Sequence, residues 1–505
     1  MSPTATQNTG SIYIGIDFGM ALTKVAAQIR VPLRRDPIRV IVELPDGTAR
    51  TGLAPHIPST VWIAGKRAYA FRADQYPQPT KQEPPPPRAA RGLAGLGQML
   101  MSFMSPPASH APTNTPPLAD ATPADGIKAA LLQEWSGAAR IDPRFQGATA
   151  SELVTIKIAL VLAHARRSIH ALAEREAPGC HWNTFVTCAV PLSGDASREQ
   201  RLPPMQRLVE RALAYSKEIA DPSVGISLVE ARHQIAELVT NPPWPADRSP
   251  VRAAPESLAA ALFHLQRDGQ TEGNWLTVDV GGLTTDTTLF FCNPEYEHLS
   301  YYAFHSVTGG TASLADDLAR ATNGTVSDAH MRLSQDGQLN GPAMTQAQSL
   351  KDCVIGAMKT TAIRALGKVS KRSDLFTTQH RDGRVHVKPR WRVLILGGGT
   401  VHPAISAWIS QWKYAAGYSE SDPSVTVSCG AVERSRLPSD IALLDNRANC
   451  RRISANLLNQ TDEAILALAV GLAQPPWDLW EYSEARNHDP KVGPDWRGDE
   501  HYVGN

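Results

Sequence analysis

The sequence lacks any run of eighteen consecutive apolar residues, which excludes a membrane-crossing helix of ordinary length. Its opening stretch, Met1 to Gly10, has neither a basic start nor an apolar segment, so no secretory leader is read there and the expected compartment is the cytoplasm. Net charge is nearly missing too. The 50 Lys plus Arg stand against 49 Asp plus Glu, which removes the global field that recruits nucleic acid or an anionic membrane, and neither is expected as a partner. Cysteine is sparse. Cys180, Cys188, Cys292, Cys353, Cys429 and Cys450 are scattered without the paired short spacing of a zinc site or the density of a disulfide scaffold. They read as reduced core thiols.

Apolar residues make up 42% of the 505, enough for a large core, and a chain of this length is expected to hold two or more structural units. Strands are read over Ser11 to Asp17, Thr23 to Ile29 and Ser59 to Ala64, with a short helix-like stretch around Tyr69 and Phe71. From Tyr76 to Asp125 prolines crowd the chain, four of them consecutive at Pro84 to Pro87, and the segment is expected to be a mobile insertion. Helical periodicity returns over Ala150 to Glu176 behind a Ser151 cap, followed by strand Thr184 to Val190 and helix Ser197 to Tyr215. A Pro-rich connection, Asn241 to Pro255, leads to a helix over Glu256 to Gln266. Beyond it come strands Trp275 to Val280 and Thr287 to Phe291, helices Ala312 to Ala321 and Thr345 to Lys368, strand Val393 to Leu396 with a helix to Trp412, and helix Asp462 to Ala473. Short strands alternating with helices imply α/β layering.

Chemistry concentrates in three glycine bends. The first hairpin reads Ile14-Gly15-Ile16-Asp17-Phe18-Gly19-Met20-Ala21-Leu22-Thr23-Lys24-Val25, and the second Leu276-Thr277-Val278-Asp279-Val280-Gly281-Gly282-Leu283-Thr284-Thr285-Asp286. Each is an apolar strand ending at a carboxylate, then glycine, then a return strand. Glycine lets backbone N–H groups approach a triphosphate closely, and a carboxylate beside it suits a magnesium ion that keeps several waters. Two such bends in separate halves suggest a duplicated architecture. A third cluster, Val393-Leu394-Ile395-Leu396-Gly397-Gly398-Gly399-Thr400, follows a buried strand and offers bare backbone to a base and ribose. A dinucleotide fold fits poorly, because the first bend returns into a strand rather than a helix.

In this order the three motifs resemble the two phosphate motifs and the adenosine motif of the actin-like ATPases, and the wider pattern is most similar to the seventy-kilodalton heat-shock chaperones. Ile57-Pro58-Ser59-Thr60-Val61, the Thr187 to Pro191 strand end, the Arg198 to Arg201 helix start, Glu256-Ser257-Leu258-Ala259-Ala260-Ala261 and Thr308-Gly309-Gly310 extend the likeness across Ser11 to Ala473. The resemblance implies duplicated ribonuclease-H-like domains in two lobes, residues 11–215 and 216–473, closing on nucleotide in a central cleft. It implies that Asp17 and Asp279 organise magnesium, that Gly19, Gly281 and Gly282 bring donors to phosphate, and that Lys24 binds phosphate as in actins. It also implies that Glu256 places the attacking water, that Thr284 faces the terminal phosphate, that Gly309 and Gly310 line the ribose and phosphate side, and that Gly397, Gly398 and Gly399 meet adenosine. The cofactors are then ATP or ADP with magnesium.

The departures bear on catalysis. Met20 and Ala21 stand where the chaperones keep hydroxyl residues, Leu283 replaces a glycine, and Tyr69 falls where the chaperones have a catalytic lysine. Losing preorganised donors and cations slows phosphoryl transfer, so a slow ATPase is expected, with nucleotide binding without turnover as the alternative. The tail, residues 474–505, carries Trp477, Trp480, Tyr482 and Trp496 but is too short for a peptide-binding sandwich. The expected function is therefore an ATP-dependent conformational switch acting on a separate, unidentified protein partner, the chain itself being a monomer or weak oligomer. An actin-like filament former, a small-molecule kinase and a scaffold that binds no nucleotide are the alternatives.

Overall fold

The computed structural model describes residues 9–19, 22–45, 53–71, 121–124, 126–137, 142–192, 195–257, 259, 261, 264, 273–282, 284–293, 298–311, 319–320, 342–368, 376–381, 384–389, 391–401, 403–410, 426–427, 432–434, 437, 440–453, 460–474 and 481–484. Most of the Pro-rich segment, Cys429, and Trp477, Trp480 and Trp496 of the tail lie outside them.

The protein is mixed α/β, with several sheets covered by helices. Strand Thr9–Phe18 buries Ile12, Ile14, Ile16 and Phe18 completely, each worth about 1.5–3 kcal/mol of apolar burial. It runs antiparallel to Leu22–Arg30, which pairs with Ile38–Val42. On its other side lie His181–Val190 and then Val251–Pro255, both parallel. A second sheet repeats the plan. Gly273–Val280 runs antiparallel to Thr284–Asn293, that strand to His298–Thr308, and on the far side Trp391–Leu396 and Val432–Arg434 add in parallel. In order of appearance the five strands of each set lie 3-2-1-4-5, with a long helix between the third and fourth: Ala150–Glu176 in one and Pro342–Lys368 in the other.

The two sets are bound together by chain that crosses between them. After the second set, Ala442–Leu444 joins Ile38–Val42 in parallel and pairs with Cys450–Arg452. The buried Glu43 carboxylate there accepts from the Arg451 guanidinium. Helix Gln460–Leu472 then packs on Thr9–Phe18 and Leu22–Arg30, and also touches the turn at Gly398–Val401 of the second set. It comes so near that a Cβ on Gly15 would fall 2.5 Å from the Ala473 nitrogen and collide with the Ala469 carbonyl. Glu481–Glu484 of the tail adds a parallel strand to the edge formed by His298–Tyr301.

Several expectations need correcting. The cap of helix Ala150–Glu176 is Thr149, not Ser151: its hydroxyl accepts from Glu152 N at 3.1 Å and the Glu152 carboxylate accepts from Thr149 N, a reciprocal capping box. Tyr69 belongs to strand Arg67–Tyr69, because Gly65 at φ 58° turns the chain back on Val61–Ala64. Thr122–Ala124, assigned to the mobile insertion, is an edge strand beside Val61–Ile63, a place where Pro123 breaks no ladder. The Asn241 to Pro255 connection ends in a strand for the same reason, and helices Ile127–Trp135 and Leu228–Thr240 were not foreseen. Of the cysteines, only Cys188 and Cys292 among those described are core thiols; Cys180 and Cys353 are half-buried and Cys450 is exposed.

Candidate functional site

The bends Asp17-Phe18-Gly19 and Asp279-Val280-Gly281 have the same local construction. Gly19 N donates to Leu22 O and Gly281 N to Thr284 O, both at 2.9 Å, closing each hairpin two residues past its aspartate. The return strand then sets one residue directly opposite that aspartate: Lys24 faces Asp17, and Asp286 faces Asp279. A cation thus stands in one copy where an acid stands in the other. Lys24 Nζ lies 2.5 Å from Asp17 Oδ2 and both side chains are buried, so neither charge is left alone in a low dielectric.

The second bend draws the remaining glycines together. Thr311 N donates to Gly281 O at 3.0 Å and Thr285 Oγ1 to Gly309 O at 2.8 Å. The contact is backbone on backbone, since a Cβ on Gly310 would lie 2.5 Å from Gly281 O. Gly397, at φ 79°, abuts the Asp279 carboxylate and the Val280 carbonyl, where a side chain would collide with both. Strand Thr284–Asn293 is polar yet buried because its hydroxyls are paired: Thr287 with Thr361 at 2.6 Å, Thr288 with Ser257, Thr284 with Asp286 Oδ2 at 3.0 Å. The Ser257 contact also seats the helix that begins at Glu256 on this second sheet.

Electrostatics ties the halves into one cluster. Burial raises the Asp279 carboxyl well above the usual range, and the charges of Asp286, Glu256 and Asp17 add to the rise while Lys24 opposes it. Asp286 is pushed up to about 7, by burial first and then by Glu256, against hydrogen bonds from Ser306 and Thr284 and the charge of Lys128. Asp17 and Asp279, from separate hairpins, therefore sense one another. Glu256 accepts from Lys128 Nζ at 2.6 Å, and Arg201 faces Asp286 and Glu256 while donating to Pro191 O at 2.8 Å.

The structure thus gathers Asp17, Lys24, Gly19, Glu256, Asp279, Thr284, Gly281, Gly282, Gly309, Gly310 and Gly397 at the facing hairpin ends. Gly398 and Gly399 start the short turn after Trp391–Leu396, Gly399 lying against Val280 and Thr311. Lys128, Asp286 and Arg201 were missed. Asp286 was detectable, because it follows Asp279 at the seven-residue spacing by which Lys24 follows Asp17. Lys128 sits in a short helix behind the Pro-rich stretch and carries no motif.

A hydrated magnesium fits this donor set. Asp286 Oδ1 is buried with no hydrogen-bond partner among the described residues, and the acids Asp279 and Glu256 lie near it. Among the described residues no group of three His, Cys, Asp or Glu is placed to hold a metal ion directly. Among the described residues no helix is long and apolar enough to cross a membrane. No protein-family model matches the chain, and no curated protein is significantly similar to it.

Proposed function

We propose that the protein is a two-lobed, actin-like ATP-binding switch of the heat-shock-chaperone type, with slow magnesium-dependent hydrolysis that regulates a separate protein partner. One observation carries the reading: two equivalent Asp-x-Gly bends, each at the end of the first strand of a 3-2-1-4-5 set, bring Asp17 and Asp279 into one acid cluster. Chance strand ends would not duplicate both the bend and the strand order.

In this reading the N–H groups of Gly19, Gly281 and Gly282 face the phosphates, and Gly397 to Gly399 give backbone contact to the adenosine. Asp17, Asp279 and Asp286 hold magnesium through its waters, and the bound metal would draw negative charge off the phosphates. Glu256, which accepts from Lys128 and lies near Asp279 and Asp286, is suited to orienting a water. Thr284 holds Asp286 by its hydroxyl. Met20, Ala21 and Leu283 contribute no side-chain donors, which is why turnover is expected to be slow. Helix Gln460–Leu472 touches both strand sets and is the element through which closure would be felt.

Hydrogen exchange tests the switch. ATP with magnesium is expected to slow exchange in Leu22–Arg30 and Thr284–Asn293, and ADP to slow it less. Identical exchange with ATP, with ADP and without nucleotide would contradict it.

A further inference from the structure

Besides Lys24, two described lysines are buried, and their surroundings differ in kind. Lys157, 0% exposed, donates to Pro58 O at 2.9 Å, Thr60 O at 3.0 Å and Ala70 O at 2.7 Å. An ammonium has three N–H donors and here all three are satisfied by backbone. Burial pushes its pKa down to about 7, and no carboxylate accompanies it. That is an anchor: it pins the Ile57 to Phe71 segment to helix Ala150–Glu176.

Lys128 is 4% exposed and donates to one group, Glu256 Oε1, at 2.6 Å. Two of its donors stay unused among the described residues, which is costly for a buried ammonium unless something else takes them. Its neighbours say what that is. Burial alone would lower Lys128, but the charges of Glu256 and Asp17 outweigh it and hold the ammonium protonated. Of the other cluster cations, Lys24 is committed to Asp17 at 2.5 Å and Arg201 donates to Pro191 O. The acids Asp279 and Asp286 would repel a triphosphate, and Lys128, whose charge acts on Asp286 and which keeps donors beyond the one given to Glu256, could meet its outermost charge.

We propose that Lys128 contacts the terminal phosphate of a bound nucleoside triphosphate, with Glu256 holding the lysine in place, so that Lys128 distinguishes a triphosphate from a diphosphate. This rests on the nucleotide site proposed above. It also replaces the cation that the sequence loses at Tyr69, now supplied from helix Ile127–Trp135. That helix follows the Thr122–Ala124 strand, which pairs with Val61–Ile63.

The test is calorimetric titration with magnesium-ATP and magnesium-ADP of the full chain, of Lys128→Met, and of the Lys128→Met/Glu256→Gln pair. The paired variant removes the Glu256 charge together with that of Lys128, so Glu256 is not left as a lone buried charge, and melting curves check the fold. Both variants are expected to bind ATP at least about tenfold more weakly and to keep ADP affinity within about twofold. Equal losses for the two nucleotides, or no loss, would overturn the role of Lys128 while leaving the nucleotide site standing. A parent chain that binds neither nucleotide overturns both.

Discussion

Asp286 shows what burial beside another acid does to a carboxyl group. Its carboxyl is raised to about 7 in the folded chain, against an ordinary value near 3.8 in the unfolded one. Between those values the folded state holds a proton that the unfolded state has released, so folding stability falls as pH rises through that window. The linkage is on the order of a few kcal/mol. Urea unfolding in chelator at about pH 5 and about pH 8 should show the parent losing more stability at the higher pH than Asp286→Asn does. Parallel behaviour of the two would contradict the account. Individual residues were unevenly legible in the sequence. Asp17 and Asp279 were singled out by their place at the ends of apolar strands before glycine, and Lys24 and Glu256 through the family resemblance. Lys128 becomes meaningful only when the fold lays it against Glu256, 128 positions away, and no local pattern announces such a pairing.

Elements were legible where their own sequence decides them. The apolar strands around Ile14 and Val278 and the helix Ala150–Glu176 announce themselves by period, and their expected bounds differ from the observed ones by a few residues at most. Val251–Pro255 and Thr122–Ala124 were hidden by prolines, which are tolerated because both are sheet edges, a property of the assembled sheet and not of the segment. Tyr69 was read as helix-like although Trp62 sits across from it on the neighbouring strand. Helix Gln460–Leu472 was visible, but its destination was not: it returns to the first strand set and lies on Gly15. Gly15→Val should therefore force that helix off its strand, costing about 3 kcal/mol or more, because the obstructing atoms are backbone and cannot rotate away. Chemical denaturation of that variant checks this, with faster hydrogen exchange in 460–472. Unchanged stability would mean that the helix does not dock there.

At the level of the whole molecule, two hairpins alone suggested a duplicated plan; the described residues are mixed α/β, with two sets of five strands in the same order and directions and a long helix before the fourth strand of each. The asymmetry between the copies was not visible beforehand. The first set brings Lys24, beside Asp17, and Arg201, the Lys128 helix adds a further cation, and the second set brings Asp279 and Asp286. Chain beyond the second set, Ala442 to Leu472, folds back on the first and holds the arrangement together. The aspartate bends are proposed to grip a metal-bound triphosphate. Calorimetric titration of ATP with and without magnesium, on the parent and on Asp279→Ala, tests it most directly. Binding that requires magnesium and weakens at least tenfold in the variant, about 1.4 kcal/mol or more, is the predicted result; ATP affinity indifferent to both metal and substitution would contradict it.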